Sequence, residues 1–227
     1  MFFDTSYLIF VLPALILAMW AQTKVSTTYA KYGKVRSMRG ITGAEVAERI
    51  LRKNGVMNVT VERIAGNLTD HFDPRTNVIR LSETVYGSTS VAALGVAAHE
   101  TGHALQHNQG YFPIKLRNSI LPVANLGSQA AFPLVLIGLL LSSGIMIDIG
   151  IILFGAVVLF QLFTLPVEFD ASRRAIAVLD SESFLEDEEL KGAKKVLSAA
   201  AMTYVAAAAA AIGNLLRLLY ISGRRRD

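Results

Sequence analysis

The sequence predicts a mainly α protein with a small β-hairpin or sheet, in which a compact mixed part is fused to a bundle of transmembrane helices. Three observations lead there. Hydrophobic residues make up 52 % of the 227 and charged residues only 18 %, against roughly 45–50 % and a quarter in soluble domains. The excess, reflected in a mean hydropathy of +0.43, is gathered into runs that approach the ~20 residues needed to cross a bilayer. Between the first run and the next lies a segment with both helical and strand periodicity. The expected division is an anchor helix at 1–22, a mixed part at 23–125, a transmembrane helical hairpin at 126–167, and helices at 168–227.

The first apolar run is Tyr7–Ala21. The residues before it carry Asp4 and no Lys or Arg, unlike the positive start of a secretory signal, so it is expected to stay as an uncleaved anchor. Lys24, Lys31, Lys34, Arg36 and Arg39 follow closely. The positive-inside rule then puts the N-terminus outside and the next segment in the cytoplasm.

GITGAEVAERILRKNG reads as a helix. Thr42 with Glu45 forms a capping box, Ile41, Val46, Ile50 and Leu51 give the apolar face, and Gly55 suits the stop. Val59–Ile64 and Asn77–Ser82 alternate apolar and polar residues around a stretch rich in turn formers, AGNLTDHFDPRT. This predicts a hairpin with a long loop. A helix over Thr89–Asn108 follows. Leu126–Ile147 and Ile149–Val167 read as two crossings joined near Asp148. Pro166–Asp180 reads as a helix with Pro166 in its first turn. The alanine-rich stretch before Tyr220 is long enough to span, yet carries Asn214 and Arg217 and ends in Arg224–Arg226. A crossing there would place those arginines outside, so a helix packed within the protein is the alternative.

The chain has four histidines, and three of them, His99, His103 and His107, recur every four residues on one helix. Residues four apart stack on one face about 6 Å apart along the axis. His99 and His103 can therefore aim two imidazoles at one ion, and Glu100 can reach a water held by it, which is the mechanical content of H-E-x-x-H. A bare five-residue pattern also occurs by chance, but the small residues Ala97, Ala98, Gly102 and Ala104 leave room for close packing. The apolar residues upstream imply burial, where unpaired imidazoles beside a carboxylate would be costly. His107 lies about 12 Å from His99 along the axis, too far for one zinc with ~2.1 Å bonds. It is expected to be an outer or surface histidine.

A catalytic zinc takes three protein ligands and keeps one position open. There is no cysteine, so the third must be His, Asp or Glu. His71, Asp148, Glu168 and Asp170 qualify by residue type. Glu168 shares a helical face with Ala171, Ser172 and Ala175, small enough to approach the histidine helix, and is favoured. Asp170 points toward Arg173 or Arg174 at helical spacing, or orients a ligand histidine.

AAHETGHALQH, DHFDPRTNVIRLSETVYG, VEFDASRRA and TYVAAA together resemble the YugP-like bacterial membrane neutral zinc metallopeptidases, over nearly the whole chain. The resemblance implies a gluzincin-type integral-membrane protease, distantly similar to HtpX-like enzymes, with a zincin-like catalytic part at 23–125. It implies Zn²⁺ on His99, His103 and Glu168, with Glu100 catalytic. Many gluzincins place Asp four residues after the ligand Glu; Ser172 stands there in this chain.

Zincins commonly hold peptides as an added strand on a sheet edge; NVIRLS reads equally as that edge or as a plain packed strand. Tyr204, ahead of His71, Arg173 and Arg174, is the expected oxyanion donor. The expected function is an integral-membrane zinc endopeptidase on the cytoplasmic face of the cell membrane. It cleaves membrane-associated protein or peptide substrates near the bilayer, with Glu100 activating the water. The alternative is a non-catalytic scaffold or regulator with a structural zinc. No basic-plus-aromatic pattern calls for nucleic acid, and the spans carry no charged groups apart from Arg217 and Asp148, both near ends, unlike a transport path.

Overall fold

The computed structural model describes residues 5–223; Asp4 and Arg224–Arg226 lie outside them. The elements are α1 (Thr5–Phe10), α2 (Leu12–Tyr32), α3 (Gly43–Lys53), β1 (Thr60–Ile64), β2 (His71–Asp73), β3 (Val78–Ser82), α4 (Glu83–Tyr86), α5 (Val91–Asn108), α6 (Phe112–Leu140), α7 (Gly144–Ser181) and α8 (Asp187–Gly223). They form two compact units, one made of Thr23–Tyr111 with Val167–Ala201, the other of Phe112–Pro166 with 5–22 and 202–223.

In the first unit, α3 begins as its sequence dictates. The Glu45 amide donates to Thr42 Oγ1 (3.3 Å) and the Thr42 amide to Glu45 Oε2 (2.7 Å), the reciprocal pairing of a capping box. Such a cap contributes about 1 kcal/mol. Val46, Ala47, Ile50 and Leu51 are buried against α5, and Gly55 ends the helix at φ +69°, where a β-carbon is unfavourable.

The sheet departs from the expected hairpin. β3 is its central strand, in the order β1-β3-β2, parallel to β1 and antiparallel to β2. The segment read as a loop contributes β2 itself. Asp73 accepts from the Arg75 amide (2.9 Å), Thr76 Oγ1 (2.9 Å) and Arg80 (3.1 Å), which holds its carboxyl down to about 2. With Asn77 at φ +53°, these bonds make a tight turn from β2 into β3. Asp70 then pins the far end, accepting from the Ser82 amide (2.7 Å) and hydroxyl (3.0 Å). The short hairpin occupies one side of β3, and β1 takes the other. NVIRLS is therefore paired on both sides rather than an open edge, and its backbone cannot receive a peptide strand; β2 lies at an edge. Ile79 and Leu81 join Ile50, Val85, Leu94 and Leu179 in the core.

α5 starts at Ser90, whose hydroxyl accepts from the Ala93 amide (3.2 Å). Val91, Ala92, Ala93, Leu94 and Ala97 are fully buried, as the apolar upstream run implies. α7 crosses Pro166 without a break. Pro166 does not open a new helix, because the preceding turns already supply the helical geometry that a proline tolerates only at some cost.

In the second unit, the turn between α6 and α7 falls at 141–143, with Ser142 at φ +53°, rather than at Asp148. Asp148 lies within α7. Ala131, Val135, Phe154, Val158, Ala211 and Leu218 form the unit's core. Gly127 faces the Leu153 carbonyl and Gly150 the Ala131 carbonyl, the small-residue approach by which apolar helices pack without a hydrophobic drive between them. Among the described residues, three helices are long and apolar enough to cross a membrane: α6, α7 and α8. The run Tyr7–Ala21 is divided at Val11 between α1 and α2, next to Pro13, which brings no N–H to the helical ladder.

Candidate metal centre

His99 and His103 stand one turn apart on α5, their rings edge-to-face with centroids 4.7 Å apart. α7 brings Glu168 against them. Its Oε2 is 3.3 Å from His99 Nε2 and 3.5 Å from His103 Nε2. The side chains are 13 %, 14 % and 7 % exposed. Close approach of the two helices makes this convergence possible. Gly102 faces Ala171, and a Cβ added at Gly102 would sit 2.8 Å from the Ala171 carbonyl oxygen. Ala171 and Ala175 are buried in the same contact. A side chain at 102 would push α7, and Glu168 with it, away from the histidines.

One donor atom from each of His99, His103 and Glu168 lies within 4.8 Å of the others, so the group could hold a metal ion. The donor set fits zinc. Two bonds of ~2.1 Å at a tetrahedral angle put their donor atoms about 3.4 Å apart, and the carboxylate oxygen meets both imidazole nitrogens at 3.3 and 3.5 Å. Those separations are long for hydrogen bonds and natural for neighbours on one cation.

The other ring nitrogens are held as well. Ser172 Oγ lies 3.1 Å from His99 Nδ1, and Gln106 Oε1 lies 3.1 Å from His103 Nδ1. Gln106 is fully buried, and its Nε2 donates to the Val167 carbonyl (2.8 Å) and to Asp170 Oδ2 (2.9 Å). Arg173 and Arg174 both pair with Asp170. Burial pulls the His103 imidazole toward neutrality. Glu168, Glu100 and Gln106 outweigh that pull and leave its basicity raised.

The remaining residues fall as follows. Glu100, half-buried on α5, is next in sequence to His99 and so about 100° round the axis. His71 is exposed on β2, its Nδ1 2.8 Å from the Thr69 carbonyl, and His107 is exposed with its ring beside Phe72. Among the described residues neither joins the metal-ligating group, nor does Asp148. Asp170 faces Arg173 and Arg174, as its spacing implied, and reaches His103 only through Gln106. Tyr204 lies half-buried on α8, in the second unit. Gln106 has no part in the sequence reading of the site. Its i, i+3 spacing from His103 was the available signal, because residues so spaced share a helix face.

A family model described as "putative neutral zinc metallopeptidase" matches residues 7–223. The Bacillus subtilis (strain 168) protein named "putative membrane protease YugP" is 50 % identical over 220 residues, which cover 96 % of this chain and 98 % of that protein. No solved structure matches the chain.

Proposed function

Because the chain belongs to the neutral zinc metallopeptidase family, we propose that it is an integral-membrane zinc endopeptidase of gluzincin type, with His99, His103 and Glu168 holding the metal. The observation that carries this reading is the meeting of two imidazole nitrogens and one carboxylate oxygen at the spacing of neighbours on a single cation. Bound there, zinc would lower the pKa of water toward about 7 and polarise the peptide carbonyl.

The chain's own residues do the rest. Glu100 stands beside the donors without belonging to their group. Its carboxylate takes the proton of the attacking water and returns it to the amine nitrogen of the departing peptide. A purely structural metal would have no use for a base at that position. Ser172 and Gln106 keep the two imidazoles oriented. Tyr204 keeps the role of oxyanion donor on the sequence reading alone.

Substrates in this proposal are protein segments close to the membrane surface, on the cytoplasmic side. Glu168 supports it, lying two residues beyond Pro166 in the same helix as a membrane-length apolar run. The test uses the purified full chain in lipid vesicles, with a membrane-tethered reporter and soluble casein as parallel substrates. Cleavage of the reporter should stop when a chelator strips the metal and return when zinc is restored. Activity indifferent to chelation would sink the metallopeptidase reading, and equal turnover of casein would sink the substrate class.

A further inference from the structure

A metal ligand histidine must offer a lone pair, and an imidazole has two nitrogens on which its proton can sit. The neighbour of the nitrogen facing away decides which one bears it. At His99 that neighbour is the Ser172 hydroxyl, which can donate or accept and so dictates nothing. At His103 the neighbour is Gln106 Oε1, which can only accept.

The orientation of the Gln106 amide is itself forced. Its Nε2 lies 2.8 Å from the Val167 carbonyl oxygen and 2.9 Å from Asp170 Oδ2. Both are acceptors. Turning the amide over would set oxygen against two oxygens with no hydrogen between them, at a site with no exposure at all, where an unmade hydrogen bond costs about 1–3 kcal/mol. The Asp170 carboxylate is in turn kept charged and fixed by Arg173 and Arg174, and Arg174 also donates to Gln109. The chain of forced choices runs from the arginines to Asp170, to the Gln106 amide, and to His103 Nδ1.

We infer that Gln106 is a positioning residue: held by Asp170 and the Val167 carbonyl, it fixes His103 as the tautomer with Nδ1 protonated and the Nε2 lone pair turned toward Glu168. The inference rests on His103 being a zinc ligand. It adds a buried glutamine and an aspartate–arginine brace as parts of the centre's wiring. Gln106 touches neither substrate nor metal and acts through the ring it orients.

The test compares Gln106→Leu with Gln106→Glu in the detergent-solubilised full chain. Zinc affinity is measured by competition with a chromophoric chelator. Thermal unfolding of the metal-free protein and ¹⁵N-histidine NMR of the zinc-loaded protein accompany it; with four histidines in the chain, the ring signals are few enough to assign. Leucine removes the acceptor, so affinity should fall about 10–100-fold, the usual cost of losing such a partner, and the His103 Nδ1–H signal should lose its protection from exchange. Glutamate keeps an oxygen toward Nδ1. It should hold zinc close to the wild-type affinity and keep that signal, even though a second acid beside Asp170 lowers its unfolding temperature. Leucine and glutamate variants that lose affinity equally, in step with their unfolding temperatures, would reduce Gln106 to a packing residue and overturn the inference. So would a leucine variant that binds zinc as the wild type does. A wild-type chain that binds no zinc would instead remove the metal centre itself, an outcome distinct from both.

Discussion

Glu100→Gln should lower kcat on the tethered reporter by about 10²- to 10⁴-fold, the range that a positioned general base supplies, and leave bound zinc unchanged. The substitution is nearly isosteric and removes only the capacity to take a proton. Glu100 is half-buried on α5 and lies outside the group of His99, His103 and Glu168, so the donors stay in place. KM should move little, because the lost interaction belongs to the transition state. Metal analysis alongside steady-state kinetics separates the outcomes. Zinc lost together with activity would place Glu100 among the ligands. Zinc and activity both retained would remove Glu100 as the base, whereas a wild type that holds zinc and cleaves nothing would favour the scaffold alternative, in which the metal has no catalytic task.

Glu168→Ala should remove zinc binding at concentrations that saturate the wild type. Two imidazoles one turn apart remain, yet the donor contributed by α7 is gone, and with it the oxygen that meets both Nε2 atoms. The loss should exceed the roughly 10–100-fold cost of an outer partner, which sets Glu168 apart from Gln106 in the same assay. Thermal unfolding supplies a second readout. At a hundredfold excess over its dissociation constant, a ligand that binds only the folded state stabilises it by about 2.7 kcal/mol. The wild type should show that rise on adding zinc and the variant should not. Normal zinc content and normal activity in Glu168→Ala would require another third ligand.

The candidate centre was legible in the sequence to an unusual depth because it is built on helical spacing. The i, i+4 histidines, the small residues at Gly102, Ala171 and Ala175, and the position of Glu168 on their face are all local regularities, and the packing of α5 on α7 follows from them. What local pattern could not show was pairing between distant segments. β3 lies parallel to β1 because Asp70 and Asp73, read as turn formers, tie β2 to β3 from within the supposed loop. Nothing in the alternation of Val59–Ile64 or Asn77–Ser82 distinguishes that arrangement from a simple hairpin. Of the two readings of NVIRLS, substrate edge and packed strand, the central position of β3 leaves the packed strand.

The membrane segments show the same division. Hydropathy identified two apolar runs around Asp148, yet the turn settled at 141–143, where Ser142 adopts a positive φ. A single acid within an apolar run does not by itself end a helix; a backbone geometry the helix cannot hold does. The tie from Gln106 to Asp170 spans 64 residues of sequence. Spacing leaves Asp170 between an arginine pair and the orienting of a ligand histidine; only the fold reveals that it does pair with both arginines and reaches His103 through the buried Gln106.

Zinc-edge X-ray absorption on the purified chain, with metal content measured on the same sample, tests the metal assignment most directly. One zinc per chain is predicted, in a shell of nitrogen and oxygen donors containing two imidazoles, and Glu168→Ala should retain none. A shell with one imidazole, or with a third drawn from His71 or His107, would contradict the assignment, as would a wild-type chain that retains no zinc.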